Sequence, residues 1–185
     1  MTWRTYLPSH DIPLWWHACG VMLSITLFLI NRRSRSAHIT VICLTRLPGV
    51  ILHELAHYLV GTLLQADPTR FNLIPERRID GRWTLGSVTF RKVNAFNAVP
   101  IAFAPLGLLL VACSLYRFWF DWFSLSLSHT LFLYATLFLL VSNALPSRQD
   151  VKVACNWKSI LLYGSASGFI FFYLDLQHLV HFLKD

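Results

Sequence analysis

Long apolar runs alternate with short polar connections along almost the whole chain. The first, about Leu14 to Ile30, ends in "NRRSRS"; it lacks a small-residue cleavage site and is read as a retained transmembrane helix. A second extends from about Ile39 to Leu64 and stops at "QADP". Pro48 suits the first turn of a helix, so the regular part of this run is expected to begin there. Two further runs, about Phe96 to Tyr116 and Thr130 to Leu145, flank the aromatic and hydroxyl-rich "RFWFDWFSLSLSH", whose composition suits a turn at a membrane interface. A fifth, about Ile160 to Leu174, carries Gly164 and Gly168 at a spacing that permits close helix contact. Each approaches the roughly 20 residues needed to cross a bilayer.

One interval breaks the pattern. Between Ala66 and Asn94, Asp80-Gly81 separates two β-prone runs, one with Phe71, Leu73 and Ile74, the other with Trp83, Leu85, Val88 and Phe90. This predicts a hairpin, and its apolar neighbours place it at the membrane surface. The expected fold is an all-α integral membrane bundle of about five transmembrane helices with a small membrane-surface β-hairpin, forming a single domain over residues 1–185.

Composition strengthens the membrane reading. Of 185 residues, 55% are hydrophobic and only 14% charged, and mean hydropathy is +0.51, well beyond ordinary soluble domains. The net charge of +7 could suit nucleic acid, but the basic residues sit in short connections rather than in one patch, so no nucleic-acid partner is expected. The N-terminal segment, the hairpin and the connection after the fourth run hold more Lys and Arg than the opposite side. That places them on the cytoplasmic side, although "NRRSR" pulls the other way. The lack of a targeting presequence suits a prokaryotic cytoplasmic membrane. Cys19, Cys43, Cys113 and Cys155 are scattered singly, which implies neither a disulfide framework nor a thiolate zinc site.

Candidate chemistry lies in "PGVILHELAHYLVG", residues 48 to 61. On a helix His53 and His57 share one face and can direct imidazole nitrogens at one ion, with Glu54 beside them. That is the arrangement of a catalytic zinc site, in which a carboxylate takes a proton from an activated water. The alternative is a set of satisfied polar residues inside a bundle. Three ionisable groups in one apolar segment weigh against it, because each costs about 2.5–3.5 kcal/mol at the centre of a spanning helix. A third protein ligand must come from another segment. Asp150, beyond the cytoplasmic end of the fourth run, leads; Asp67 and Asp80 share its side but fall in the hairpin region, while Asp121 and His129 lie at the wrong end. Asn143 could polarise a carbonyl or cap a helix. His178 and His181 read as a structural surface pair. A histidine-rich di-iron oxidase fits poorly, since the eight histidines are mostly isolated.

"PGVILHELAH", a surface hairpin and then "NALPSRQD" together resemble the site-2 protease family of intramembrane zinc metalloproteases. The resemblance implies a catalytic core of three transmembrane helices over residues 48–150 with the hairpin at about 66–94, and one extra helix on each side. It implies Zn2+ held by His53, His57 and Asp150, with Glu54 as catalytic base and Asn143 and Pro146 matching the family's Asn-x-x-Pro element. Val151 follows Asp150 where the family commonly has glycine. The hairpin would hold an unwound substrate by strand addition. The implied activity is hydrolysis of a peptide bond in or beside a transmembrane segment of a membrane protein or signal peptide. A zinc-binding scaffold without catalysis is the competing expectation.

Overall fold

The computed structural model describes residues 12–33, 39–73, 76–77 and 83–182. Its elements are α1 (Leu14–Arg33), α2 (Ile39–Leu63), β1 (Pro68–Asn72), β2 (Glu76–Arg77), β3 (Trp83–Thr84), β4 (Ser87–Phe90), α3 (Ala98–Phe103), a 3-10 turn (Ala104–Leu106), α4 (Gly107–Trp122), α5 (Leu127–Asn143), α6 (Arg148–Ala154) and α7 (Trp157–Phe182). The chain is mostly helical. Two stretches, Leu14–Arg33 and Ala98–Trp122, are long and apolar enough to cross a membrane, and α5 with α6 makes a third if this pair, bent by 50°, counts as one span.

Several boundaries differ from expectation. α2 begins at Ile39, so Pro48 lies inside the helix and not in its first turn. A proline costs a helix one N–H bond and forces the carbonyl four residues earlier aside, and apolar helix on both sides of Pro48 carries α2 through that break. α4 continues to Trp122 and leaves only Phe123–Ser126 between it and α5, because Ser126 caps α5 by accepting from the His129 N–H at 3.3 Å. The aromatic segment expected as a turn is therefore largely helical, and Trp119 and Phe120 enter the core. Nothing lies within 4 Å of a β-carbon added at Gly164 or Gly168, so the small-residue spacing mediates no helix contact among the described residues. His178 and His181 fall in α7, in a part whose side chains lie outside the described residues.

The hairpin is present as two antiparallel pairs in series. β1 pairs with β4, Phe71 opposite Val88 and Asn72 opposite Ser87, and β2 pairs with β3, Arg77 opposite Trp83. The Asp80-Gly81 turn lies outside the described residues. β4 is laid along α2: the Phe90 ring rests on Gly61, and a β-carbon at Gly86 would stand 2.7 Å from Val50 Cγ1 and 2.9 Å from Glu54 Cγ. Only glycine at position 86 lets this backbone come so near the helix.

Two buried clusters join α4 to α5. Leu108, Ala112, Leu140 and Ala144 form one, with Leu52 of α2 packed against it; Trp119, Phe120 and Leu133 form the other. α1 docks on α5 through a 2.8 Å hydrogen bond between His17 Nδ1 and the Tyr134 hydroxyl. α7 is pinned at its start, where Ser159 Oγ donates to the Ala95 carbonyl at 3.0 Å and the Tyr163 hydroxyl to the Phe96 carbonyl at 2.6 Å. Beyond that anchor its apolar side chains are exposed from Phe169 to Leu174. Leu133 is 0% exposed, so Leu133→Ala is expected to cost about 2–5 kcal/mol through lost burial and the cavity left behind, measured as a lower unfolding midpoint in detergent.

Candidate metal centre

Helical spacing puts His53 and His57 one turn apart on α2, and their Nε2 atoms lie 3.2 Å from each other. The third group arrives from α6. α5 ends at Asn143, Pro146 cannot continue it, and Ser147 caps α6, which leaves at a 50° bend. Asp150 is the third residue of that new helix and closes a capping box: its Oδ2 accepts from the Ser147 main-chain N–H at 2.6 Å, while Ser147 Oγ accepts from the Asp150 N–H at 3.2 Å. This turns the carboxylate back toward α2. Oδ2 stands 3.4 Å from His53 Nε2 and Oδ1 stands 3.4 Å from His57 Nε2.

The outer imidazole nitrogens decide what the inner ones can do. His53 Nδ1 lies 2.8 Å from the Asn143 carbonyl and His57 Nδ1 lies 2.7 Å from the Ile101 carbonyl. A carbonyl oxygen only accepts, so each Nδ1 carries the proton and each neutral ring presents a bare Nε2 lone pair inward. Two such lone pairs and a carboxylate then converge with no proton to share. Such a set is repulsive alone and is satisfied by a cation. Donors 3.2–3.4 Å apart also match the edge of a tetrahedron with bonds of about 2.0–2.1 Å, and two imidazoles with one carboxylate form a known catalytic zinc set. Among the described residues His53, His57 and Asp150 are the group that can hold a metal ion, with ligand atoms within 4.8 Å of one another.

Asp150 lies beyond the apolar α5, at the polar start of α6. Its carboxylate accepts from the Ser147 main-chain N–H at 2.6 Å, a bond that favours the charged form. The charged form is the one a metal ligand needs.

A cavity of about 650 Å³ opens over the three groups, of a size that small ligands or a short peptide segment fill. Its floor holds His53, His57 and Asp150, one wall is β4, and the other is the connection from Ser142 to Gln149. Glu54 lines the same cavity, with its carboxylate against the Val88 main-chain N–H. Among the described residues β4 pairs with β1 on one side only, and Ser87, Val88, Thr89 and Phe90 line the cavity.

The structure brings together all five residues singled out from sequence, though Asn143 enters differently from expectation. Its carbonyl holds His53, and its Nδ2 donates to the Leu139 carbonyl at 2.8 Å and to Ser142 Oγ at 3.1 Å. Its amide packs on Gly49, where any β-carbon would collide with it. Asp67 instead faces Arg91 at 3.6 Å, and His129 bonds Ser124 near the start of α5. The four cysteines are free. Sequence reasoning missed the Ile101 carbonyl as partner to His57. Its signal was Pro105 four residues on, which withholds the N–H that a helix would have offered that carbonyl.

Comparison with protein-family models, with curated proteins and with solved structures found no match for this chain.

Proposed function

We propose that the protein is an intramembrane zinc metalloprotease that hydrolyses peptide bonds in or beside a transmembrane segment, the activity implied by its resemblance to site-2 proteases. The observation that carries the reading is the convergence of two Nδ1-protonated imidazoles and the Asp150 carboxylate on one point, with a second carboxylate, that of Glu54, lining the same cavity. His53, His57 and Asp150 would hold the metal. A bound zinc ion supplies Lewis acidity, which brings the pKa of a water to about 7 and polarises a carbonyl.

The chain's own residues do the rest. Glu54 accepts the proton that the attacking water loses and returns it to the departing amine, so one carboxylate serves as base and then acid. The free edge of β4 offers main-chain groups to an extended substrate, which would expose a peptide bond that a helix shields. Leu85, Val88, Phe90 and Leu145 around the cavity suit apolar side chains, the kind a membrane segment brings. The two membrane-length stretches, with α5–α6 as a possible third, support an integral membrane protein. Residence in a prokaryotic cytoplasmic membrane belongs to this reading, and the distribution of Lys and Arg favours the hairpin side inward.

Metal content is the direct test. Protein purified in detergent and reloaded with zinc is expected to hold about one zinc per chain, removable by a chelator and restored by readdition. No zinc after reloading would sink the proposal.

A further inference from the structure

Prolines are expected to disrupt helices, and Pro105 does so beside the metal centre. A helical residue at position 105 would donate its N–H to the Ile101 carbonyl four residues earlier. Proline has no such proton, and its ring forces that carbonyl away from the helix axis. The helix accordingly stops at Phe103 and passes through the 3-10 turn Ala104–Leu106 before α4 starts at Gly107. The Ile101 carbonyl keeps one main-chain bond, from the Ala104 N–H, and gives its remaining acceptor capacity to His57 Nδ1 at 2.7 Å. His57, Ile101 and Pro105 are all buried.

We infer that Pro105 is a positioning residue of the metal centre, which keeps the Ile101 carbonyl turned toward His57 and so fixes the tautomer and the orientation of that ring. The inference rests on the proposed metal reading. Outer partners of this kind set both the direction and the basicity of a ligand imidazole. A second proline lies away from the metal: Pro100, in the first turn of α3, stands four residues after Phe96, whose carbonyl accepts the Tyr163 hydroxyl at 2.6 Å. Pro100 serves as a control proline whose neighbouring carbonyl orients no ligand.

Pro105→Ala separates a positioning role from a structural one, because alanine is the better former of a continuous helix at this place. Full-length Pro105→Ala is expected to unfold, in chelator, at a midpoint no lower than wild type, since the helix gains a bond. Its zinc affinity, read by competition with a chromophoric chelator, is expected to fall by about tenfold or more. Pro100→Ala is expected to bind zinc within about threefold of wild type, as its carbonyl serves Tyr163 and not a ligand. Unchanged affinity in Pro105→Ala would overturn the inference. So would a variant that fails to fold or loses metal-free stability together with affinity, because proline would then be shaping the fold alone. If wild type itself takes up no zinc, the metal reading falls first, an outcome distinct from a zinc-binding wild type whose Pro105→Ala variant binds equally well.

Discussion

Glu54→Gln is expected to lower cleavage of a single-span reporter peptide in detergent by about 10²–10⁴-fold, the usual contribution of a positioned general base. Zinc content should stay at the wild-type level. Glutamine keeps the shape of the side chain that lies against Gly86 and the Val88 N–H, but its amide cannot take a proton. The three groups that would hold the ion do not include Glu54, so binding and chemistry separate at this residue. Full activity in the variant would remove Glu54 from the mechanism. A wild-type protein that is loaded with zinc and cleaves no membrane peptide would favour a binding scaffold that has kept the site without its chemistry.

The second large effect is expected at Asp150. Asp150→Ala should cost more zinc affinity than the roughly 10–100-fold that outer-shell changes produce, because it deletes a ligand and leaves the two imidazoles alone. It also opens the capping box of α6. Ser147→Ala breaks that box while leaving the carboxylate in place, and helix caps are worth about 0.5–2 kcal/mol. Ser147→Ala should therefore lower stability by that amount and retain most of the zinc affinity. Chelator competition together with thermal unfolding distinguishes the two variants. If Asp150→Ala held zinc as wild type does, the third ligand would have to be sought elsewhere.

Much of this arrangement was legible in the sequence because it is local. His53 and His57 are four residues apart on a helix, which fixes their shared face before any tertiary contact forms. The turn-punctuated interval announced the hairpin, and "NALPSRQD" marked the end of the fourth run, though not the short α6 that begins within it. The misread boundaries have a common cause. Pro48, read as a helix start, and the aromatic run at Arg117–Trp122, read as a turn, carry strong local signals for a boundary, yet packing decides both: α2 holds through its proline, and Trp119 is buried with its Nε1 donating to the His129 carbonyl at 3.1 Å. Intrinsic propensity is a weak prior against such contacts. The carbonyls that orient the histidines were not legible either. Main-chain groups look alike in a sequence, and only the fold brings Ile101 to His57 across 44 residues.

His53 and Asp150 are separated by 97 positions. An ion shared between them would do more than chemistry, since it would act as a cross-link between the start and the finish of the catalytic core. On chain-entropy grounds a covalent bridge closing about 100 residues contributes about 4–5 kcal/mol, and a metal clip over so long a loop works in the same direction. The metal-free chain would then rely on the packing of α6 against α3 to keep Asp150 near α2. Loading would draw the floor and the far wall together, so the ion that prepares the water would also set the width of the slot that a substrate must enter.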